Sequence, residues 1–227
     1  MATIQSNLQA VNARIAAACA AAGRDRASVQ LVAVSKTWTA AAVQEAAAAG
    51  QVEFGENYLQ EALDKIAALS ALHLRWHFIG PLQSNKTRPV AEHFDWVHSV
   101  DREKIAERLS AQRPESLAAL NVCIQVNISG EASKSGVAPE ALAPLARQVA
   151  RMPRLRLRGL MSVPEPTADE ALSRRRFASL RGLLDELKRD GLVVDTLSMG
   201  MTADLEAAIL EGATMVRVGT AIFGERQ

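Results

Sequence analysis

The sequence predicts an α/β fold, a single (β/α)8 barrel over residues 1–227 with one extra helix before the first strand. Eight short β-rich runs each lead towards a segment with helical patterning. Runs such as residues 31–34 (LVAV) are continuously apolar, as parallel strands covered by helices on both faces are. A chain of 227 residues with 48% hydrophobic content is the right size for one such barrel.

The elements follow in order along the chain. Residues 1–22 are alanine-rich, but Asn7, Asn12 and Arg14 interrupt any apolar run, so an amphipathic helix is predicted here and not a targeting segment. The predicted strands are residues 29–35, 52–55, 74–79, 94–99, 122–127, 155–161, 193–199 and 215–218. The predicted helices between them are residues 39–49, 59–69, 102–109, 139–151, 173–189 and 203–210. An open doubly wound sheet is the alternative, but the glycine-rich dinucleotide fingerprint is absent after the first strand.

Composition narrows the classes of partner. A net charge of +1 offers no basic field for nucleic acid, and no apolar run approaches the ~20 residues that span a membrane. Cys19 and Cys123 have no metal or disulfide spacing, and we expect buried thiols in a reducing cytosol. The polar stretch at residues 129–136 is the segment expected to be most mobile. Small-molecule ligands are therefore expected.

Lys36 is the first candidate for chemistry. It follows directly on the apolar strand run, and barrels of this class carry their reactive groups at the carboxyl ends of strands. Partial desolvation there disfavours the charged amine and favours the nucleophilic form that a Schiff base requires. A strand-end lysine that extends to solvent is the alternative reading of this position taken alone.

A second constellation, at the ends of strands seven and eight, has the residue types of a phosphate site. Gly200 and Gly219 permit close backbone approach, and hydroxyl side chains flank them at Ser198, Thr202 and Thr220. Ordinary turn glycines are the alternative.

Arg217 lies within the eighth apolar strand run and needs an acceptor if it is buried. Glu56, Asp204 and a ligand ring nitrogen are the candidates for that acceptor. Closure of the barrel would place strand eight beside strand one, so Lys36 and Arg217 are predicted to face one pocket.

Other chemistries have weaker support. The four histidines, His73, His77, His93 and His98, lack a third ligand at metal spacing, and no metal site is predicted. The sequence contains no nucleophile elbow and no phosphate loop of the Gly-Lys-Ser/Thr type. Lys86 and Lys134 are interpreted as surface lysines, with any part in ligand transfer left open.

Six ordered segments resemble the pyridoxal phosphate homeostasis protein family, also called the proline synthase co-transcribed group. The resemblance covers nearly the whole chain. The segments are VAVSKT (32–37), FGENYLQE (54–61), WHFIGPLQSNK (76–86), GLM (159–161), LSMGMTADL (197–205) and RVGTAIFG (217–224).

The resemblance implies a barrel similar to the N-terminal domain of alanine racemase, the fold type III of pyridoxal 5′-phosphate (PLP) proteins. It implies PLP held as a Schiff base on Lys36, with Ser198, Gly219 and Thr220 at the phosphate and Arg217 at the pyridine nitrogen. Arginine there does not favour a protonated ring, so the ring is a weak electron sink. The full set of cofactor-binding residues that we assign on this basis is Lys36, Asn57, His77, Met161, Ser198, Gly200, Met201, Arg217, Gly219 and Thr220.

We therefore expect a cytoplasmic, monomeric carrier that buffers or delivers PLP, with apo forms of PLP-dependent enzymes as candidate recipients and without strong turnover. The main rival is a PLP-dependent amino-acid racemase in which Tyr58 or His77 is the second proton-transfer group. A cofactor-free phosphosugar isomerase on the same barrel is a second rival, and a colourless protein would favour it.

Overall fold

The predicted (β/α)8 barrel is confirmed. The structure, a computed structural model, describes residues 3–129 and 135–225, and in these ranges eight parallel strands close in sequence order with β8 paired to β1. The strands are β1 (Gln30–Val34), β2 (Glu53–Glu56), β3 (Arg75–Phe78), β4 (Trp96–Val100), β5 (Leu120–Gln125), β6 (Leu155–Met161), β7 (Thr196–Ser198) and β8 (Met215–Val218). The closing register places Arg217 opposite Val32, so strand eight lies beside strand one as expected.

Helices surround the barrel. They are α1 (Ile4–Ala21), α2 (Ala40–Ala48), α3 (Leu59–Ala68), α4 (Thr87–His93), α5 (Glu103–Gln112), α6 (Pro139–Val149), α7 (Glu170–Arg189), α8 (Leu205–Leu210) and α9 (Thr220–Phe223). The sequence pattern did not predict α4 or α9, because α4 is short and contains a proline and α9 has a single turn. The predicted seventh strand was too long, since Val193 is 92% exposed and pairing starts only at Thr196.

The extra helix α1 covers the seam where the barrel closes. Thr3 caps it with a capping box, as its side chain accepts from the Ser6 N–H. It packs on α2, α8 and α9, and Asn7 donates to the Ile222 carbonyl oxygen at 2.8 Å. Arg14 adds an ion pair with Glu206 at 2.7 Å. The amino-terminal segment is thus part of the barrel's outer layer.

The hydrophobic core has two parts. The larger lies between the strands and the surrounding helices, where parallel sheets bury their outer face. A small cluster inside the barrel consists of Val32, Trp96, Cys123, Met161 and Met215. The interior is therefore packed, and a ligand site is expected at one mouth of the barrel.

Two expectations concern particular segments. Both cysteines are buried, unbridged thiols, as predicted. Most of the predicted mobile segment, residues 130–134, lies outside the described residues, and Lys134 lies there too. Within the described part of the chain, no helix is both long and apolar enough to cross a bilayer.

Candidate functional site

A cavity of about 340 Å³ opens at the carboxyl ends of the strands, where barrels of this class place their sites. Its lining includes six of the ten predicted residues. The lining residues are Val34, Lys36, Trp38, Asn57, Ile79, Val163, Met201, Thr202, Ala203, Arg217, Gly219, Thr220 and Gly224. Lys36 and Arg217 therefore share one pocket, as barrel closure predicted.

The turn after β1 holds Lys36 at the edge of this cavity, where the residue is half-buried. Ser35 continues the pairing with β2, because its N–H donates to the Gly55 carbonyl at 3.0 Å. Thr37 then adopts a positive φ of 69°, a conformation that costs a β-branched residue of the order of 1–3 kcal/mol. The Glu61 carboxylate accepts from the Thr37 N–H at 2.6 Å and so stabilises this turn.

A buried ion cluster lies behind the turn. Lys65 is only 4% exposed, and its Nζ donates to the Ser35 carbonyl oxygen at 2.6 Å and to Glu56 Oε1 at 2.8 Å. It also pairs with Glu61. Burial raises the pKa of the Glu56 carboxyl above its usual value, although the hydrogen bonds from Lys65 and Ser35 oppose the shift. The residues on either side of Lys36 are thus tied to one buried cation.

Close contacts require glycine at both Gly200 and Gly219 in the predicted phosphate site. At Gly219 a Cβ would lie 3.1 Å from the Val34 carbonyl oxygen, so this part of the cavity wall is bare backbone. Gly200 has φ of 92°, and its Cβ would lie 2.5 Å from the Ala208 Cβ. Neither position is an ordinary turn glycine with open space around it.

Arg217 is 4% exposed and forms part of the cavity wall. Its Nη1 donates to Ser198 Oγ at 2.6 Å and its Nη2 to the Ser162 carbonyl oxygen at 2.8 Å. Both acceptors are uncharged. Burial lowers the pKa of Arg217 to about 10, with the charge of Asp204 acting in the opposite direction, so the guanidinium is protonated at neutral pH. Among the three acceptors considered from sequence, Glu56 is wrong, because its carboxylate pairs with Lys65.

Asn57 supplies a polar atom to the cavity that the protein does not satisfy. Its Oδ1 is buried and has no hydrogen-bond partner among the described residues. Buried polar atoms are nearly always hydrogen-bonded, so a ligand donor would complete this one. Gly80 fixes the Asn57 backbone by close approach, since a Cβ at Gly80 would lie 2.4 Å from the Asn57 carbonyl oxygen.

Four predicted residues lie away from the described cavity lining. Met161 is buried in the interior cluster and Gly200 pairs with β8, its carbonyl accepting from the Arg217 N–H. His77 is fully buried, hydrogen-bonded to Glu53 and His98. The side chains of Met161 and His77 do not form the described wall because successive strand residues alternate in direction, and sequence proximity to a strand end does not resolve that direction.

The fourth residue, Ser198, also differs from its predicted role. Its hydroxyl is fully buried and faces Arg217 and His98, at 2.6 and 2.8 Å. The side chain therefore supports the arginine, and a contact between Ser198 and a phosphate remains a prediction.

Several lining residues were not assigned from the sequence. Trp38 follows Lys36 by two positions and stacks on Phe223, with ring centroids 5.8 Å apart. Its place in the loop after β1 was a usable signal in the sequence. Val163 follows β6 by two positions and Gly224 directly follows α9, and apolar and small residues are too common at such places to carry a signal.

Two further predictions concern the metal site and Lys86. Within residues 3–129 and 135–225, no group of three or more His, Cys, Asp or Glu side chains is arranged to hold a metal ion. Lys86 lies in the loop after β3 and is exposed.

Comparisons with known proteins give the family. Residues 6–227 match the family described as alanine racemase, N-terminal domain. The pyridoxal phosphate homeostasis protein of Pseudomonas aeruginosa is 66% identical over 226 residues, covering 100% of this chain and 97% of that protein. The protein of the same name from Escherichia coli K12 is 52% identical over 230 residues, covering 98% and 97%.

Solved structures agree with these relatives. PipY of Synechococcus elongatus, with PLP bound, superposes with a TM-score of 0.82 at 42% identity, covering 92% of this chain and 100% of that chain. Alanine racemase from Corynebacterium glutamicum has a TM-score of 0.72 at 18% identity over 96% of this chain and 62% of that one, a likeness of fold alone. With its barrel, its strand-end lysine and these relatives, the chain belongs to the pyridoxal phosphate homeostasis protein family, as the six sequence segments predicted.

Proposed function

We propose that this chain binds PLP as a Schiff base on Lys36 and buffers or delivers it, without strong turnover of amino acids. The observation that carries the proposal is one cavity of about 340 Å³ lined by both Lys36 and the buried cation Arg217. This volume lies within the usual range for small-molecule pockets. The relatives named for PLP homeostasis, and the related structure that holds PLP, support the same ligand.

The wall residues fit the proposed ligand. Asn57 Oδ1 is a buried acceptor that a ligand hydroxyl would satisfy. At Gly219 the cavity wall is bare backbone, and Thr220 and Thr202 bring hydroxyls to the same wall. We place the phosphate on the Gly219 and Thr220 side, with Met201 beside it, and the ring nitrogen at Arg217.

The proposed chemistry is reversible imine exchange. The unprotonated Lys36 amine attacks the aldehyde carbon of PLP, a C=N bond forms, and one water molecule leaves. The reverse step, or attack by another amine such as the lysine of an apo enzyme, releases the ligand. The protein's part is to orient the aldehyde and to bind the phosphate, so no oxidant or reductant is needed.

Two features support a carrier over a racemase. The cation Arg217 beside the ring nitrogen disfavours ring protonation, and a neutral ring stabilises a carbanion poorly. The two groups nominated for a second proton transfer, Tyr58 and His77, lie outside the described lining, Tyr58 being 53% exposed and His77 buried below the cavity. Deuterium exchange at the α-carbon of alanine or serine, faster than with PLP in solution, would favour the racemase.

Borohydride reduction followed by peptide mapping tests the binding proposal directly. We expect a pyridoxyl adduct on the peptide that contains Lys36, and loss of both adduct and yellow colour in Lys36→Ala. The matched control is Lys86→Ala, an exposed lysine on a neighbouring loop, which should keep the adduct on Lys36. An adduct elsewhere, or colour that survives Lys36→Ala, would overturn the proposal.

We also propose that the barrel acts as one domain and as a monomer. Light scattering of the PLP-loaded protein at several concentrations tests the second statement, and a mass of about twice the 24.4 kDa of the chain would contradict it.

A further inference from the structure

A continuous chain of hydrogen bonds runs through the inside of the barrel to Arg217. Glu53 Oε2 lies 2.7 Å from His77 Nε2, and His77 Nδ1 lies 2.9 Å from His98 Nε2. His98 Nδ1 lies 2.8 Å from Ser198 Oγ, which accepts from Arg217 Nη1 at 2.6 Å. Each of these five residues is at most 5% exposed. We call Glu53, His77, His98 and Ser198 the inner relay.

The groups at the two ends of the inner relay limit the direction in which hydrogen bonds are donated along it. Arg217 can only donate, and Glu53, whose other oxygen lies 2.6 Å from Arg75 Nε, is a carboxylate that can only accept. Burial, with the nearby charge of Arg217 acting in the same direction, holds the pKa of His98 well below its usual value, so this imidazole is neutral.

The following arrangement satisfies every link with His98 neutral. His77 donates from Nε2 to Glu53 and accepts at Nδ1 from the Nε2–H of His98. His98 then accepts at Nδ1 from the Ser198 hydroxyl, whose lone pairs face Arg217. In this arrangement the Ser198 hydroxyl donates to His98 and accepts from one arm of the guanidinium, while the Ser162 carbonyl oxygen accepts from the other arm.

We propose that the inner relay fixes the orientation of Arg217 towards the ring nitrogen of bound PLP, with His98 as the positioning residue. This inference rests on the proposed function. A charged group held by two neutral acceptors can turn if one acceptor is lost, and loss of His98 would let the Ser198 hydroxyl rotate its hydrogen away from the relay. The contact with the ring nitrogen would then weaken, while the Schiff base on Lys36 and the phosphate contacts would not.

The experiment compares PLP with its 1-deaza analogue, in which a CH group replaces the ring nitrogen. Absorbance titrations give Kd for both ligands with the wild type, His98→Leu and His98→Asn. We expect His98→Leu to raise Kd for PLP about tenfold, the size of one charge-assisted hydrogen bond, and to leave Kd for the analogue within about twofold. His98→Asn places an acceptor near the former Nδ1 position and should restore most of the affinity for PLP.

Two controls separate positioning from a general loss of structure. Cys123→Ala truncates another fully buried residue of the barrel interior outside the relay, and it should change both Kd values by the same factor. If His98→Leu does not fold, His98→Gln replaces it, since its amide reaches the Nε2 position and loses the Ser198 contact. Thermal denaturation of each variant shows whether it is folded.

The outcomes are distinguishable. Equal losses for PLP and the analogue in His98→Leu, or wild-type affinity for PLP, would overturn the positioning role and leave the proposed function intact. A wild-type protein that binds neither ligand, or forms no adduct on Lys36, would instead overturn the proposed function.

Discussion

Replacing Lys65 by methionine should destabilise the protein more than most single substitutions, because it removes the cation of a buried cluster. Methionine fills a similar volume without the charge. Three acceptors then lose their donor: the Ser35 carbonyl oxygen, Glu56 Oε1 and Glu61 Oε1. Glu56 is 0% exposed, and among the residues that the structure describes its carboxylate keeps only the hydrogen bond from the Ser35 hydroxyl, at 2.6 Å.

The magnitude follows from the burial of this cluster. Removing one partner of a buried ion pair typically costs about 3–5 kcal/mol in the free energy of unfolding. For a chain of this size that corresponds to a fall in Tm of roughly 10 °C. Affinity for PLP should fall as well, since the turn that carries Lys36 loses its tie to α3.

The double variant Lys65→Met/Glu56→Gln isolates the mechanism. The neutral amide of glutamine removes the buried charge, so the double variant should recover at least about half of the stability lost in Lys65→Met. Chemical denaturation of the wild type, both single variants and the double variant gives the coupling energy between the two positions. A Lys65→Met protein within about 1 kcal/mol of the wild type, or a double variant no more stable than the single one, would refute the reasoning.

The contribution of Glu56 to the stability of the fold depends on pH with a defined sign. The pKa of Glu56 is raised above its ordinary value of 4.5, so between that value and the folded pKa the folded state binds a proton that the unfolded state releases. The penalty from Glu56 is absent below the unfolded pKa, grows as pH rises and is complete above the folded pKa. Without Lys65 the pKa rises further, so the stability deficit of Lys65→Met should shrink as pH falls from about 7 towards about 5.5.

Two further predictions follow from close contacts and burial. Gly80→Ala places a Cβ 2.4 Å from the Asn57 carbonyl oxygen, so the backbone must move. We expect urea denaturation to show a loss of about 2 kcal/mol or more in the free energy of unfolding, and PLP binding to weaken. Unchanged stability and affinity would contradict the assignment of Asn57 to the cavity wall. Burial raises the pKa of the Cys123 thiol to about 12, so iodoacetamide should label Cys123 only after denaturation. Rapid labelling of Cys123 in the native protein, detected by peptide mass, would show that the barrel interior opens.

Prediction from sequence succeeded where the signal is local. The alternation of apolar runs with amphipathic segments predicted the barrel, and β6 and β8 have the predicted bounds. Lys36 and Arg217 were placed in one pocket from strand-end position and closure alone. Segments with weak local patterns were missed, as with the single turn of α9 and the short α4.

Side-chain direction at the strand ends was the feature that the sequence pattern did not resolve. Met161, Ser198 and His77 are near strand ends in sequence, yet their side chains point into the packed interior. A shift of one residue along a strand reverses the direction of a side chain, and sequence patterns locate strand ends only to within a few residues. The Ser198 hydroxyl contacts Arg217 and His98 for this reason, and the assignment of Ser198 to the phosphate stays a prediction.

The sequence by itself determined the order of the elements, the lysine at the end of β1 and the residue types of the opposite wall, because hydrophobic periodicity and strand ends are properties of neighbouring residues. Only the tertiary structure decided which polar groups meet inside the barrel. His98 and Ser198 are 100 positions apart, and Lys65 reaches back 30 positions to Ser35. Such contacts depend on the closure of the sheet and on the direction of each side chain, and both are set by packing of the whole barrel.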